Sequence, residues 1–211
     1  MKKINWIIIK NISRGFEYGV GTFVKNMIQG LSILPEYDIF VIEIGSNCLE
    51  DFYIESNEAV TFLHFSKAWY FIGEDTVSNQ IKHAKNILRI LQPYIPKERE
   101  TVIHLNFITQ YYLGQEFKRA YNATILFTQH MFIETFNNNQ YYFNLEKNVY
   151  NMVDHVVTVT NHGKNFLTER FNSSDKITTI YNGVNPMPFN NSIIHDDVRG
   201  KYGLLNTDHY I

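Results

Sequence analysis

The sequence predicts an α/β fold, a mostly parallel sheet with helices on both faces. Short β-rich runs alternate with longer segments whose apolar residues recur at helical spacing. Proline and glycine fall at the junctions between them. The 211 residues, 45% apolar and 19% charged, are enough for one buried core. Strands alternating with helices at this spacing require crossover connections, and therefore parallel pairing.

Taken in order, Ile4–Ile9 reads as the first strand and Asn11–Tyr18 as a polar loop containing Gly15. From Gly19 to Leu34, Val20, Phe23, Val24, Met27 and Leu31 lie on one helical stripe, and Pro35 marks the exit. Ile39–Ile44 and Ala59–Phe65 read as strands, and Val77–Leu91 as a helix that ends before Pro93. Thr101–Leu105 is a strand, Gln110–Tyr121 a short helix, and Thr124–Thr128 a strand. Gln140–Val153 is a helix, His155–Thr160 a strand, Lys164–Phe171 a helix capped near Asn161, and Lys176–Ile180 the last strand. Beyond it the chain is polar, with a short helix candidate near Asp196–Tyr202.

Charge is nearly balanced, with 19 Lys and Arg against 21 Asp and Glu. That balance gives no general attraction to nucleic acid. One cysteine, Cys48, allows no internal disulfide. The apolar run after Lys2 and Lys3 is too short for a signal sequence or a membrane span. Asn-x-Ser/Thr triplets at Asn11, Asn122 and Asn172 read as chance in an Asn-rich chain. The 14 tyrosines and 16 phenylalanines are the unusual feature. They fill a core, but tyrosine also lines sugar sites, because it offers a ring face and a hydroxyl together.

Four segments could carry chemistry. Gly19-Val20-Gly21-Thr22 opens a helix, where backbone can approach a ligand and free N–H groups suit an anion; a plain turn explains the glycines equally. The segment is neither a dinucleotide fingerprint nor a phosphate loop. His130 follows the strand ending Phe127-Thr128-Gln129, at the edge where α/β sheets gather ligands. There it could bond a sugar hydroxyl or move a proton, or be satisfied internally. Tyr181-Asn182-Gly183 leaves the last strand as a turn. Thr160, His162 and Lys164 lie where another strand passes into a helix, and Thr160 serves equally as a cap. His104 and His64 lie inside strand patterns and read as structural. No metal-ligand spacing or nucleophile motif is present.

Together and in this order, the segments resemble the N-terminal half of family 4 glycosyltransferases. Gly19-Val20-Gly21-Thr22-Phe23-Val24 is similar to the family's G-[IV]-G-x-[YF]-[VI], with Tyr18 where another glycine is common. Phe127-Thr128-Gln129-His130 is similar to its histidine-bearing strand edge, and Val153–Thr160 to a later strand that usually ends in serine. Ile180-Tyr181-Asn182-Gly183-Val184-Asn185 resembles I-x-N-G-[VI]-D, with Asn185 replacing the aspartate. Val198–Leu204 resembles the R-x-x-[FY]-G-[IL] stretch before the second domain.

The resemblance implies one half of a GT-B fold: a Rossmann-like acceptor-side domain over residues 1–190, then a linker and the start of a C-terminal donor-binding domain over 191–211. It implies transfer, with retention, from a UDP- or GDP-sugar type donor to a glycan or lipid-linked sugar acceptor, without a bound metal. It assigns His130 to the transferred sugar as the catalytic residue, and Gly19, Gly21, Thr22, Asn182 and Gly183 to donor or acceptor. The second domain would hold most of the donor, so these residues alone are expected to be inactive. The expected setting is cytoplasmic polysaccharide or glycolipid synthesis, with peripheral attachment at the inner face of the membrane where the acceptor is lipid-linked. Lys82, Lys85 and Arg89 would face such a surface, or simply water. A non-catalytic glycan- or partner-binding module is the alternative, and a sugar-nucleotide epimerase or dehydrogenase a third reading.

Overall fold

The computed structural model describes residues 3–11, 19–46, 49–57, 59–66, 69, 76–130, 139–172 and 174–183. Cys48, the Asp196–Tyr202 helix candidate and the domain boundary near residue 190 lie outside them.

The elements follow in the order β1 (Ile4–Asn11), α1 (Gly19–Ser32), β2 (Tyr37–Ser46), β3 (Phe52–Ser56), β4 (Val60–Ser66), α2 (Val77–Leu91) and β5 (Thr101–Leu105). After a 3-10 turn at Ile108–Gln110 come α3 (Tyr111–Tyr121), β6 (Thr124–Gln129), α4 (Gln140–Met152), β7 (His155–Thr158), α5 (Asn161–Phe171) and β8 (Ile177–Thr179). The strands form a single 8-stranded sheet in the order β3-β4-β2-β1-β5-β6-β7-β8. All pairings are parallel except β3 with β4.

The order records how the chain winds. From β1 it steps outward through α1 to β2 and then β4. It returns through α2 to the other side of β1, and steps outward again through α3, α4 and α5. Right-handed crossovers then put α1 on one face and the later helices on the other. The core divides accordingly. Ile8, Ile39, Val41 and Val60 pack against Val24 and Ile28 of α1. Ile7, Ile9, Ile103, Ile125 and Val156 pack against Leu88, Phe117 and Val149 of α2, α3 and α4 and Leu167 of α5. Central strands are therefore buried on both faces, which is why Ile7, Ile8 and Ile9 are all fully enclosed.

Local chemistry fixes the helix ends. Thr76 accepts from the Asn79 amide at the start of α2, Asn139 from Tyr141 at α4, and Thr160 from Gly163 at α5. Asn122 and Asn172 end α3 and α5 in the left-handed region, each at φ 47. Both asparagines thus have a physical role as C-caps, where a short polar side chain tolerates that backbone. At the end of α4, the Lys118 ammonium donates to the Met152 carbonyl at 2.7 Å and the Lys176 ammonium to those of Val153 and Tyr150, satisfying carbonyls the helix leaves open.

Two expectations are revised. The strand expected over His155–Thr160 stops at Thr158, and α5 begins at Asn161 rather than Lys164, because Thr160 turns its hydroxyl to cap the helix. The strand β3 was not expected at all. It is a short, half-exposed edge strand with Ile54, Glu55 and Ser56 facing water, so its apolar start at Phe52-Tyr53-Ile54 shows neither the alternation nor the length that marks a strand.

Helix α3 lies unusually close to β5 at Gly114, where an added Cβ would stand 2.9 Å from Leu105 Cδ1 and 3.3 Å from Met152 Cε. Gly114→Ala is therefore expected to lose about 1–3 kcal/mol despite alanine's better helix propensity, because Leu105 must leave its rotamer. Urea unfolding checks this; an unchanged midpoint would mean that the contact yields freely.

Candidate functional site

The uneven winding leaves the α1 face only partly covered among the described residues. Beside α1, a trough of about 670 Å3 runs over the exposed part of β5, β6 and β7. Its floor is Trp6, His104, Leu126, Thr128 and Val157, one wall is α1 with Phe23, Met27 and Leu31, and the far rim is Ile180–Gly183. Gly19 and Thr22 stand at its upper end.

Four of the residues singled out in the sequence therefore meet around one recess: Gly19, Thr22, Asn182 and Gly183. Gly21 is instead buried within α1, packed under the helix and away from the trough lining. A Cβ added at Gly19 or Gly183 would meet nothing within 4 Å, so packing does not require glycine at either position. Gly19 is in the first turn of α1, where backbone N–H groups have no helical partner.

His130 directly follows β6 and stands edge-on to Phe23, ring centroids 4.8 Å apart, one aromatic ring away from the trough wall. Its Nε2 approaches Asn106 Oδ1 at 3.4 Å. Burial depresses its pKa to about 4, so the ring is neutral at ordinary pH. His104 lies deeper, with Nε2 at 2.7 Å from Thr128 Oγ1 and edge contacts to Trp6 and Phe23. Burial, and secondarily the proximity of His130, lowers its pKa to about 3. His104 Nδ1 is buried without a hydrogen-bond partner among the described residues. Both histidines thus offer neutral hydrogen-bonding atoms rather than charge.

The residues that sequence reasoning missed are Asn106 and Gln110. Gln110 accepts from the Asn106 amide at 2.8 Å through Oε1 and donates to the Ile9 carbonyl at 3.1 Å and to Asn11 Oδ1 at 3.3 Å. Asn106 Nδ2 also donates to the Ile9 carbonyl, at 3.1 Å. Both amides are almost fully buried. They pin the end of β5 to the end of β1, and Asn106 presents its Oδ1 to His130. The signal was present in Asn106-Phe107-Ile108-Thr109-Gln110, a polar stretch directly after a strand.

Toward the β3 edge, Lys10 Nζ meets Glu43 Oε1 at 3.0 Å, and Glu43 Oε2 lies 2.8 Å from His64 Nδ1. All three are buried and lie across the ends of β1, β2 and β4. Burial lowers the Lys10 pKa, with Glu43 opposing it. Thr160 serves as the α5 cap, and His162 is exposed at the start of that helix, away from the trough lining. Among the described residues no group of His, Cys, Asp and Glu could hold a metal ion, and no helix is long and apolar enough to cross a membrane.

The histidines couple stability to pH. In the unfolded chain each takes up its proton near pH 6.5, whereas the folded rings wait until about 4 and 3. The unfolded state therefore binds more protons in that window, and stability rises with pH through it and levels off above about 6.5. Lowering pH from 7 to 5 is expected to cost on the order of 3–4 kcal/mol, shared about equally by the two rings, because both folded pKa values lie below 5. Urea melts at both pH values check it, and His104→Gln should remove about half of the slope. The depressed carboxyls of Asp38 and Asp154 act below this window.

The fold has known counterparts. Sucrose-phosphate synthase from Thermosynechococcus elongatus superposes with a TM-score of 0.62 at 13% identity, over 88% of this chain and 49% of that one. A trehalose-6-phosphate synthase gives 0.60 at 12%, over 88% and 50%. UDP-N-acetylglucosamine 2-epimerase from Rickettsia bellii gives 0.54 at 13%, over 97% and 52%. The chain thus spans about half the length of these structures, each of which shows the fold alone. No curated protein sequence matches. The description "Glycosyltransferase Family 4" does match, over residues 18–187, which takes in the α1 glycines, the β6 edge with His130 and the turn after β8. This chain belongs to glycosyltransferase family 4.

Proposed function

We propose that the chain is the acceptor-side domain of a glycosyltransferase that moves a sugar from a nucleotide-sugar donor, of UDP- or GDP-sugar type, to a glycan or lipid-linked acceptor. Anomeric configuration is retained, and a second domain beginning near residue 191 holds most of the donor. The observation that carries this reading is the meeting of Gly19, Thr22, Asn182 and Gly183 around one trough, with His130 one ring away, inside the family match.

Each group has a task that its surroundings suit. Gly19 and Thr22 of the first turn of α1 line the trough, and N–H groups there would stabilise negative charge on a departing diphosphate. Open space above Gly19 lets that backbone approach the donor without a side chain between them. His130, neutral and held by Phe23 and Asn106, would bond a hydroxyl of the transferred sugar through an uncharged nitrogen. Polysaccharide or glycolipid synthesis at the cytoplasmic membrane face is the setting this chemistry fits. A chain that only bound saccharides would have no use for the open backbone at the helix start.

The test is transfer of labelled sugar from UDP- and GDP-sugars by the full-length polypeptide. His130→Ala is expected to lower kcat/KM by about 10²-fold or more with little change in melting temperature. Undiminished transfer would remove His130 from the reaction, and saccharide binding without transfer would favour the binding module. Gly19→Ala should leave stability equal or slightly higher, by up to about 1 kcal/mol, because the new methyl meets nothing. It should nevertheless raise the donor KM if the backbone lies against phosphate; an unchanged KM would place the donor elsewhere.

A further inference from the structure

The winding of the sheet reverses at β1, whose neighbours β2 and β5 belong to its two halves. At such a reversal the strands part, and the gap beyond their C-terminal ends is where α/β sheets bind ligands. Here the gap contains a second recess, on the α2–α4 side and separate from the trough. It is a narrow pit of about 20 Å3, walled by Asn11, Gln80, Thr109, Gln110 and Tyr112, with Ile44 and Leu113 behind them.

Three properties define what fits it. The volume is that of one water-sized group, such as a single hydroxyl. The polar wall consists of amides and hydroxyls, and none of the side chains lining the pit is charged. An anion entering would lose its hydration without meeting a cation, which is costly. A hydroxyl both donates and accepts; Gln110 already makes four hydrogen bonds within the protein, so the entering hydroxyl would turn to Thr109, Asn11 and Gln80.

Above the pit, aromatic rings gather where α3 and α4 begin. Tyr111 meets Tyr112 edge-on at 4.9 Å, and Tyr141 meets Tyr142 at 5.2 Å. The Tyr141 hydroxyl and the Gln80 amide are bonded to each other, at 2.7–3.0 Å, tying the first turn of α4 to that of α2. Burial, with Tyr141 and Tyr111 nearby, raises the Tyr112 pKa, so its hydroxyl stays a neutral donor. Ring faces beside neutral hydrogen-bonding groups match the alternating C–H faces and hydroxyl edges of a sugar. The pit also connects to His130, since Gln110 bonds both Asn11 and Asn106, and Asn106 faces the His130 ring.

We propose that this recess is the acceptor subsite, and that it takes a neutral, polyhydroxylated saccharide with one hydroxyl in the pit and ring faces against the tyrosines. The assignment rests on the transferase reading and adds the acceptor's chemical class: uncharged sugar rather than phosphorylated or uronic-acid sugar.

The full-length protein applied to an array of neutral and acidic saccharides tests it. Retention by neutral saccharides is expected, and Thr109→Val and Gln80→Leu should each weaken it at least about fivefold, the effect of one lost hydrogen bond. Lys147→Ala, an exposed change on α4, should leave retention unchanged, with melting curves confirming that every variant is folded. Retention of acidic saccharides only, no retention, or neutral binding unmoved by both substitutions would overturn the proposal. Because binding is read rather than transfer, a protein that binds but does not transfer sinks the transferase reading alone. An active enzyme whose acceptor KM ignores both substitutions sinks the subsite alone.

Discussion

The pairing of β1 extends further on one side than on the other. Its ladder with β2 runs to Asn11 opposite Ile44, whereas its ladder with β5 ends at Ile8 opposite His104. Past that point the Ile9 carbonyl must find donors that are not strand amides, because a buried carbonyl left unpaired is costly. Asn106 and Gln110 provide them, and in doing so they turn the chain from β5 into the 3-10 turn and on into α3. The position of His130 and the walls of the switch-point pit both follow from this substitution of side-chain amides for a backbone ladder. A change at Gln110 would thus reach two recesses at once.

The two faces of the sheet have different electrostatic characters. Beneath α1, histidines are stripped of water and kept neutral, and the Lys10–Glu43 pair is enclosed so that its charges answer one another. On the opposite face, Lys118 bridges Asp154 and the end of α4, and Glu146 in the middle of α4 is enclosed with Arg170 of α5. Asp154 in turn accepts from the Ile125 amide, tying the start of β6 to the connection before β7. Charge is enclosed as ion pairs or placed at helix ends, and the two recesses are lined by neutral groups.

Much of this architecture was legible in the sequence because it rests on periodicity. The stripe through Ile81, Ala84, Ile87, Leu88 and Leu91 reads as an amphipathic helix, and the run of isoleucines in β1, short and β-branched, reads as a buried strand. Proximity was much less legible. Gly19 and Gly183 stand more than a hundred residues apart, and only the family resemblance joined them before the sheet order did. The burial of Gly21 was not legible, because a glycine at a helix start looks the same in sequence whether it is open or packed within the fold. Asn106 and Gln110 escaped notice because amides after a strand are common, and what distinguishes them is a carbonyl almost a hundred residues earlier. Asn122 and Asn172 looked incidental as sequence triplets, although a left-handed helix end gives each a clear purpose.

The central place of β1 also bears on how the chain acquires its structure during synthesis. Asn5 pairs with Thr101, 96 residues later, so β1 keeps one edge open until β5 has emerged. At ordinary translation rates of about 5–20 residues per second, that exposure lasts on the order of 5–20 seconds. Throughout it, a run of isoleucine with high strand propensity offers free backbone groups to any neighbouring nascent chain. The buried Lys10 near the end of that strand, and Lys3 just before its start, place positive charges on a segment that would otherwise invite pairing with its own copies.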